Sequence, residues 1–460
     1  MQTGDQGCEQ VKRAINVYEV KGGGRMKIVR MSLTLLLLAS VVAPAQTWAG
    51  GLYLYEVSNS DVALASAGWA ARAQDASTLF TNPAGMTRID RPQLQLGIQP
   101  MYVNIKFDPD SNTSHHNLVI PNGQRADDGD TSQWLPAGST FYVHPVSRDL
   151  RLGFGVIGFF GLALEYEDDW VGRYYLKEVK LQGFTIMPSV AYRVNGWLSV
   201  GAALNAMYGV LNEKIAINNN PLGIGSFPDG QLEVDDKVWG FGGLFGVLIE
   251  PTQHTRFGLT YLTKTELEFE PDADFSGLGP GLQTILGNNG LLGAKLKLPI
   301  NAPQSVMLSG YHEINDRWAV MGNVGWQDWS DFGSIDVAVS AEDTHSLTVD
   351  MNYEDTWHVA AGLQYKVSEP LLLSLGIAYD SSMMGDEERS PSVPVGETWR
   401  FGAGGQYKWK KNIDVGLAYE FLWGGDLSMD VNRGPLAGRV SGEYTNTAIH
   451  FINLALNWRF

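Results

Sequence analysis

The chain is nearly without cysteine: one in 460 residues, Cys8. Disulfides are excluded, and cysteine pairing says nothing about redox compartment. After residue 50 no run of 18 apolar residues occurs, so no helix there is greasy enough to span a membrane. A closed barrel is the one other way across a bilayer, because lipid leaves no backbone group free to go unpaired. Positive charge is also scarce. Lys and Arg number 33 against 50 Asp and Glu, for a net charge of −17, which argues against nucleic acid as a partner. The chain has no G-x-S-x-G, no H-E-x-x-H and no cysteine nucleophile. His312-Glu313 lacks a second histidine four residues on, which argues against zinc. A serine–histidine pair assembled in three dimensions stays open, since spacing does not test it. Gly153-Phe154-Gly155-Val156-Ile157-Gly158 fits G-x-G-x-x-G, but no helical pattern follows it, so a dinucleotide site is rejected. No cofactor and no metal are expected.

What is abundant is glycine and aromatic side chains: Gly 53, Tyr 18, Phe 18 and Trp 14, with only 18% charged residues. Beyond residue 91 these fall into alternating segments. In Asn412–Trp423 the positions Ile413, Val415, Leu417, Tyr419, Phe421 and Trp423 are apolar, while Asp414, Gly416, Ala418 and Glu420 between them are small or polar. Thr398–Trp409 sets Trp399, Phe401, Tyr407 and Trp409 against Arg400, Gln406 and Lys408, and Trp357–Lys366 sets Trp357, Val359, Leu363 and Tyr365 against His358, Gln364 and Lys366. Period-two alternation means strands. In a soluble sandwich the aromatic face would turn inward. In a membrane barrel it faces lipid, where Arg or Lys costs about 2–4 kcal/mol at the midplane, so the charges face the lumen. Aromatics at both ends of a strand fit interfacial girdles. About 14 strands are counted, starting near residues 92, 138, 150, 178, 196, 231, 253, 302, 316, 353, 370, 396, 412 and 439. Short turns at Val194-Asn195-Gly196 and Lys410-Lys411-Asn412 fall on one side, the periplasmic one. Long connections at 108–135, 218–230, 273–300, 332–352, 382–395 and 424–438 fall on the other.

The first fifty residues read as a leader. Met26 opens a secretory signal with Lys27 and Arg30, an apolar Met31–Ala43 and a cleavage site after Ala49. Residues 1–25 are expected to be a mis-assigned extension, 26–49 the signal peptide, 50–91 a plug and 92–460 the barrel. The stretch Gly50–Arg91 differs from the rest. Val62–Ala76 holds seven alanines and favours helix over strand, and Asn82-Pro83-Ala84-Gly85-Met86 breaks regular structure. It is placed inside the closed sheet.

Acid gathers at Asp127-Asp128-Gly129-Asp130, at Glu165–Asp169 and at Asp386-Glu387-Glu388. These runs are either solvated loop tips or sites where divalent ions bridge to lipopolysaccharide. Two connections are apolar: Pro221–Pro228, and Phe275–Leu292 with Leu282, Ile285 and Leu286 at helical spacing. Contiguous apolar surface marks a binding site, or else the two loops cap the barrel together. Glycines inside the run Gly158-Phe159-Phe160-Gly161-Leu162 suggest a bent strand and a gap in the wall.

With the leader, the Asn82-Pro83-Ala84-Gly85-Met86 motif after Asp75, the Phe160–Tyr166 and Pro391–Glu397 stretches and a final strand ending on Phe460, the chain resembles the FadL-like outer-membrane transporters of long-chain fatty acids and hydrocarbons. The resemblance covers nearly all of 50–460. It implies an all-β transmembrane barrel of about 14 antiparallel strands, monomeric and not an enzyme, with an N-terminal hatch in the lumen. The terminal Phe460 resembles the signal read by the barrel-assembly machinery. The resemblance further implies an outer apolar groove at Leu222, Ile224, Phe227, Leu282, Ile285 and Leu286, a kinked third strand at Gly158 and Gly161 with Phe160 and Leu162 beside it, and hatch residues Asp75, Asn82, Pro83 and Gly85. A basic lumen residue would hold a fatty-acid carboxylate, with Lys214 the candidate. Passive uptake is the expected activity; an outer-membrane lipase, an adhesin or a general porin are the alternatives.

Overall fold

The computed structural model describes residues 52–220, 227–288, 290–332, 334–340, 345–350, 352–434 and 437–460. Fourteen antiparallel strands form the wall. They are β1 Gln93–Pro109, β2 Gln133–Pro145, β3 Leu150–Glu165, β4 Glu178–Arg193, β5 Leu198–Ile217, β6 Gly230–Thr252 and β7 Thr255–Leu262, then β8 Ser305–Glu313, β9 Trp318–Gln327, β10 Thr356–Ser368, β11 Leu371–Asp380, β12 Thr398–Lys410, β13 Ile413–Asn432 and β14 Arg439–Arg459. Each pairs with its neighbours in sequence, and β14 closes on β1 from Gln93↔Arg459 to Pro109↔Gly442. Closure of β14 on β1 leaves no free terminal strand in lipid. A short strand, Asp274–Ser276, is appended to β6.

The expected strand starts lie within five residues of the observed ones, the largest difference being at β2. The alternation has the expected sense. Trp399, Phe401, Tyr407, Trp409, Leu417, Tyr419 and Trp423 are exposed on the outer face, whereas Arg400, Asp414, Glu420, His358 and Gln364 are buried. Aromatic pairs mark two levels. Trp326↔Trp357 and Trp399↔Trp423 lie at one, Trp318↔Tyr365 near the other. Trp399 and Trp409 stand ten residues apart on β12. That is about 34 Å of strand, or about 26 Å vertically at a tilt near 40°, the height of an outer-membrane apolar band. Among the described residues no helix is long and apolar enough to span a bilayer; the strands do so instead.

Turns of two to four residues join β2–β3, β4–β5, β6–β7, β8–β9, β10–β11 and β12–β13, and long connections fill the opposite end. Two expectations about that end need correction. The segment 424–438 is not a loop throughout, because β13 continues to Asn432, still paired with β14. Within 263–352 lies a second sheet, ordered His345–Asp350, Ser334–Ser340, Lys295–Ala302, Thr265–Phe269. Leu267 and Phe269 of this sheet are buried against Gly209 and Gly240 of the wall, where an added Cβ would meet them at 2.8–3.0 Å.

Candidate functional site

Leu52–Arg91 is buried almost throughout. The expected helix over Val62–Ala76 is not formed: one helical turn spans Asn59–Ala63, and the chain then coils. Ala65, Ser66, Gly68 and Ala73 take left-handed backbone (φ 45°, 64°, 74° and 44°), which ends a right-handed helix. Small side chains here serve close approach to the wall instead.

That approach extends round the whole circumference. Ser77 N–H donates to Gln95 of β1 (2.8 Å), Ser139 of β2 donates to the Val57 carbonyl (2.8 Å), and Arg151 of β3 to the Ile89 carbonyl (2.7 Å). Arg193 of β4 donates to Thr87 O (2.5 Å), and Thr87 Oγ1 to Ser199 of β5 (2.8 Å). Asn82 Nδ2 donates to Val247 O of β6 (3.0 Å), and Arg256 of β7 to Ala71 O (3.1 Å). Ala70 N–H donates to Ser309 of β8 (2.9 Å), Gly68 N–H to Asn323 of β9 (2.7 Å), and Gln74 to Gln364 of β10 (2.8 Å). Gly376 of β11 touches the Leu64 backbone. Gln406 of β12 donates to Ser60 (2.7 Å), and Asn59 sits between Gly416 of β13 and the Asn453 carbonyl of β14. A segment that touches every strand of a closed wall lies within it.

The expected hatch residues are placed accordingly. Asn82 is the hub: Nδ2 also donates to Ala70 O (2.6 Å), and Oδ1 accepts from Ala84 N–H (3.0 Å), capping the short helix that Pro83 opens. Proline suits that first position, having no N–H to leave unpaired. Gly85 packs on Thr78 and Ala73 with no room for a Cβ, and Asp75 accepts from the Ser77 N–H (3.0 Å).

The third strand bends where its glycines fall. The β2–β3 ladder runs from Pro145↔Arg151 to Ser139↔Ile157 and ends there. The β3–β4 ladder shifts register between Gly158 and Phe160, and Gly161 adopts φ 148° with a Cβ position only 2.2 Å from Leu181 O. A bulge bends the strand that carries it. From Phe159 to Leu164 both faces are buried, so alternation stops. The bent segment pairs with the start of the buried inner segment: Leu54 N–H donates to Phe159 O (2.8 Å) and Gly161 N–H to Leu52 O (3.0 Å). Across the unpaired stretch, β2 carries Pro136, a residue suited to an open edge.

Beside this bend lies a chamber of about 150 Å³. Its walls are largely apolar: Leu52, Leu54, Ile105, Leu162, Trp329, Met383, Val395 and Leu427. An apolar cavity of this size is one that takes up benzene in another protein. Tyr53, Tyr55, Asp380 and Arg400 add polar groups. Arg400 Nε donates to Asp380 Oδ2 (2.6 Å), its Nη1 pairs with Glu56 of the hatch and lies 3.6 Å from Glu420 Oε1. His358 Nδ1 meets Asp380 at 2.7 Å and stacks on Tyr55 at 4.2 Å between ring centres.

Other expected site residues lie elsewhere. Lys214 does not line the chamber; it bonds Glu178 (2.7 Å) and lies 3.9 Å from Glu233. Leu222 and Ile224 fall outside the described residues. Phe227 and Ile285 are exposed, with Leu282, Ile285 and Leu286 on the helix Pro280–Asn288. The two apolar connections are tied together: Asn219 donates to Pro228 O and Gly277 O (2.6 and 2.8 Å) and accepts from Gly279 N–H (2.8 Å). Two acidic runs also meet. Asp169 against Asp127 raises the Asp127 carboxyl above its usual range, first through their shared hydrogen bond and then through like charge. Among the described residues no three acids are grouped to hold a metal ion. Glu56 and Glu420, both fully buried as side chains, were not singled out in the sequence as site residues. Their position opposite Arg400 was the available signal only in Glu420, which alternates with the aromatics of β13.

Comparison with known proteins agrees with this architecture. The long-chain fatty acid transport protein of Escherichia coli O6:H1 is 28% identical, over 84% of this chain and 90% of its own. Outer membrane protein P1 of Haemophilus influenzae is 27% identical, over 94% of this chain and all of its own. A crystal structure of a Pseudomonas aeruginosa FadL homologue superposes with a TM-score of 0.78 at 21% identity, covering 89% of this chain and 100% of that one. The Pseudomonas putida toluene transporter TodX gives 0.64 at 19% identity, covering 90% and 100%. The family described as outer membrane protein transport protein (OMPP1/FadL/TodX) matches residues 40–460, so the chain belongs to this family of outer-membrane transport barrels.

Proposed function

We propose that the protein takes up long-chain fatty acids or similar hydrophobic compounds passively. The ligand collects on the apolar helix Pro280–Asn288 beside Phe227, enters the chamber and leaves sideways into the bilayer between β2 and β3. The observation that carries this reading is the end of the β2–β3 ladder at Ser139↔Ile157, with the bent strand reaching the chamber through Leu162. A hydrophobic solute released there meets lipid and never has to cross water. Relatives whose names state fatty-acid and toluene transport support the same class of cargo. The acidic runs near Asp127 and Asp169 fit the outer, lipopolysaccharide-facing end of such a barrel.

The test is uptake by a deletion strain and by that strain carrying Gly161→Ala. Loss of uptake of labelled fatty acid, alkane and aromatic tracers is expected on deletion. Gly161→Ala, whose Cβ would strike Leu181 O, should fail to restore it while still inserting as a folded barrel. Undiminished uptake in the deletion strain would sink the proposal; full rescue by Gly161→Ala would sink the lateral route.

A further inference from the structure

The chamber's polar end has a charge balance that bears on what it admits. Arg400 is the cation lining it. Three carboxylates face that one guanidinium: Glu56, Asp380 at 2.6 Å and Glu420 at 3.6 Å. That one guanidinium is therefore already shared among three carboxyl groups, with His358 bonded to Asp380 beside them. The next arginine, Arg389, does not line the chamber and is paired with Asp386 at 2.6 Å. Arg72 is likewise paired, with Asp61. Among the described residues no donor bonds either oxygen of Glu420 or Glu56 Oε2. The site therefore holds surplus acceptors and no surplus positive charge. An ionised carboxylate entering here would meet like charge in a water-poor space, a juxtaposition that costs several kcal/mol. A hydroxyl head, or no head at all, meets no such penalty.

We propose that Glu420, acting through Arg400 with Glu56 and Asp380, makes the chamber selective for uncharged hydrophobic molecules over fatty-acid anions. This rests on the uptake reading above and narrows it. Glu420 is a positioning and specificity residue: it saturates the guanidinium that a carboxylate would otherwise claim.

The experiment compares two ligands of one chain length, 1-hexadecanol and palmitate at pH 8, binding to the purified full chain in nanodiscs, read by tryptophan fluorescence. The alcohol should bind about tenfold or more tightly than the acid. Glu420→Gln, which keeps size and removes one of the carboxyl groups competing for Arg400, should raise palmitate affinity about tenfold and leave hexadecanol unchanged. Equal affinity of the wild-type protein for both ligands overturns the selectivity and leaves uptake standing. An equal change for both ligands in Glu420→Gln also overturns it, since a structural role moves both alike. Binding of neither ligand overturns the uptake reading as well. The comparison on the wild-type chain needs no variant to fold.

Discussion

At the scale of single residues, the wall and its leader meet through atoms with little room to move. Asn82 makes three bonds from full burial, two to carbonyls 165 and 12 residues away. Asn82→Ala strands those groups, and with each unsatisfied partner worth about 1–3 kcal/mol a loss of about 3 kcal/mol is expected. Thermal unfolding in detergent measures it. Gly258 is the converse case. A Cβ there would lie 1.9 Å from Ala70 O, so Gly258→Ala should cost about 1–3 kcal/mol by overpacking, read by the same melt. On the outer loops Asp127 offers a pH test. Its carboxyl is raised by Asp169. A raised acid contributes stability that is present below its unfolded value and is lost as pH rises through the folded one. Asp127→Asn should therefore match the parent in protease resistance at low pH and exceed it progressively as pH rises. The motif around Asn82 was legible as a break in regular structure, but its bonding was not. Its partners Ala70 and Val247 come together only in three dimensions.

At the scale of elements, the strands were readable because each one meets two solvents. Lipid outside and a packed polar interior inside impose period two, and Trp399–Ala403 obeys it residue by residue. Leu417, 59% exposed near the middle of that band, tests the assignment. Leu417→Arg should destabilise by about 2–4 kcal/mol, measured by urea titration of folding into vesicles. An unchanged midpoint would place this face away from lipid. Where only one solvent or none applies, the pattern failed. Phe159–Leu164 is buried on both faces, and Thr265–Phe269 and Lys295–Ala302 belong to a second sheet that is not part of the barrel wall but packs on it. The inner segment Val62–Ala76 was misread as helix for a related reason: alanine favours helix on propensity alone, yet Ala65 and Ala73 here adopt left-handed backbone to fit the glycines opposite. The chamber was invisible as a unit, because its lining comes from Leu52–Tyr55, several strands and two connections. Of that lining, Arg400 was legible as facing inward and Leu162 as lying at the bend.

At the scale of the whole molecule, fourteen strands enclose a lumen filled by Leu52–Arg91. Little ionic current should pass in a planar bilayer. Deleting residues 52–91 should raise single-channel conductance roughly tenfold or more, toward that of open barrels. A large conductance in the intact chain would show that the leader leaves a water path beside it.

The pairing of β1 with β14 carries a consequence for biogenesis. The last seam to be sewn joins staves 330 residues apart or more, Pro109↔Gly442 being the nearest in sequence. A stopper that reaches every stave cannot be threaded in once that seam is tight. The expected order is that residues 52–91 are seated first and the cylinder is wrapped round them, the inner segment serving as a mandrel; a chain lacking 52–91 should then close more slowly when folded into vesicles.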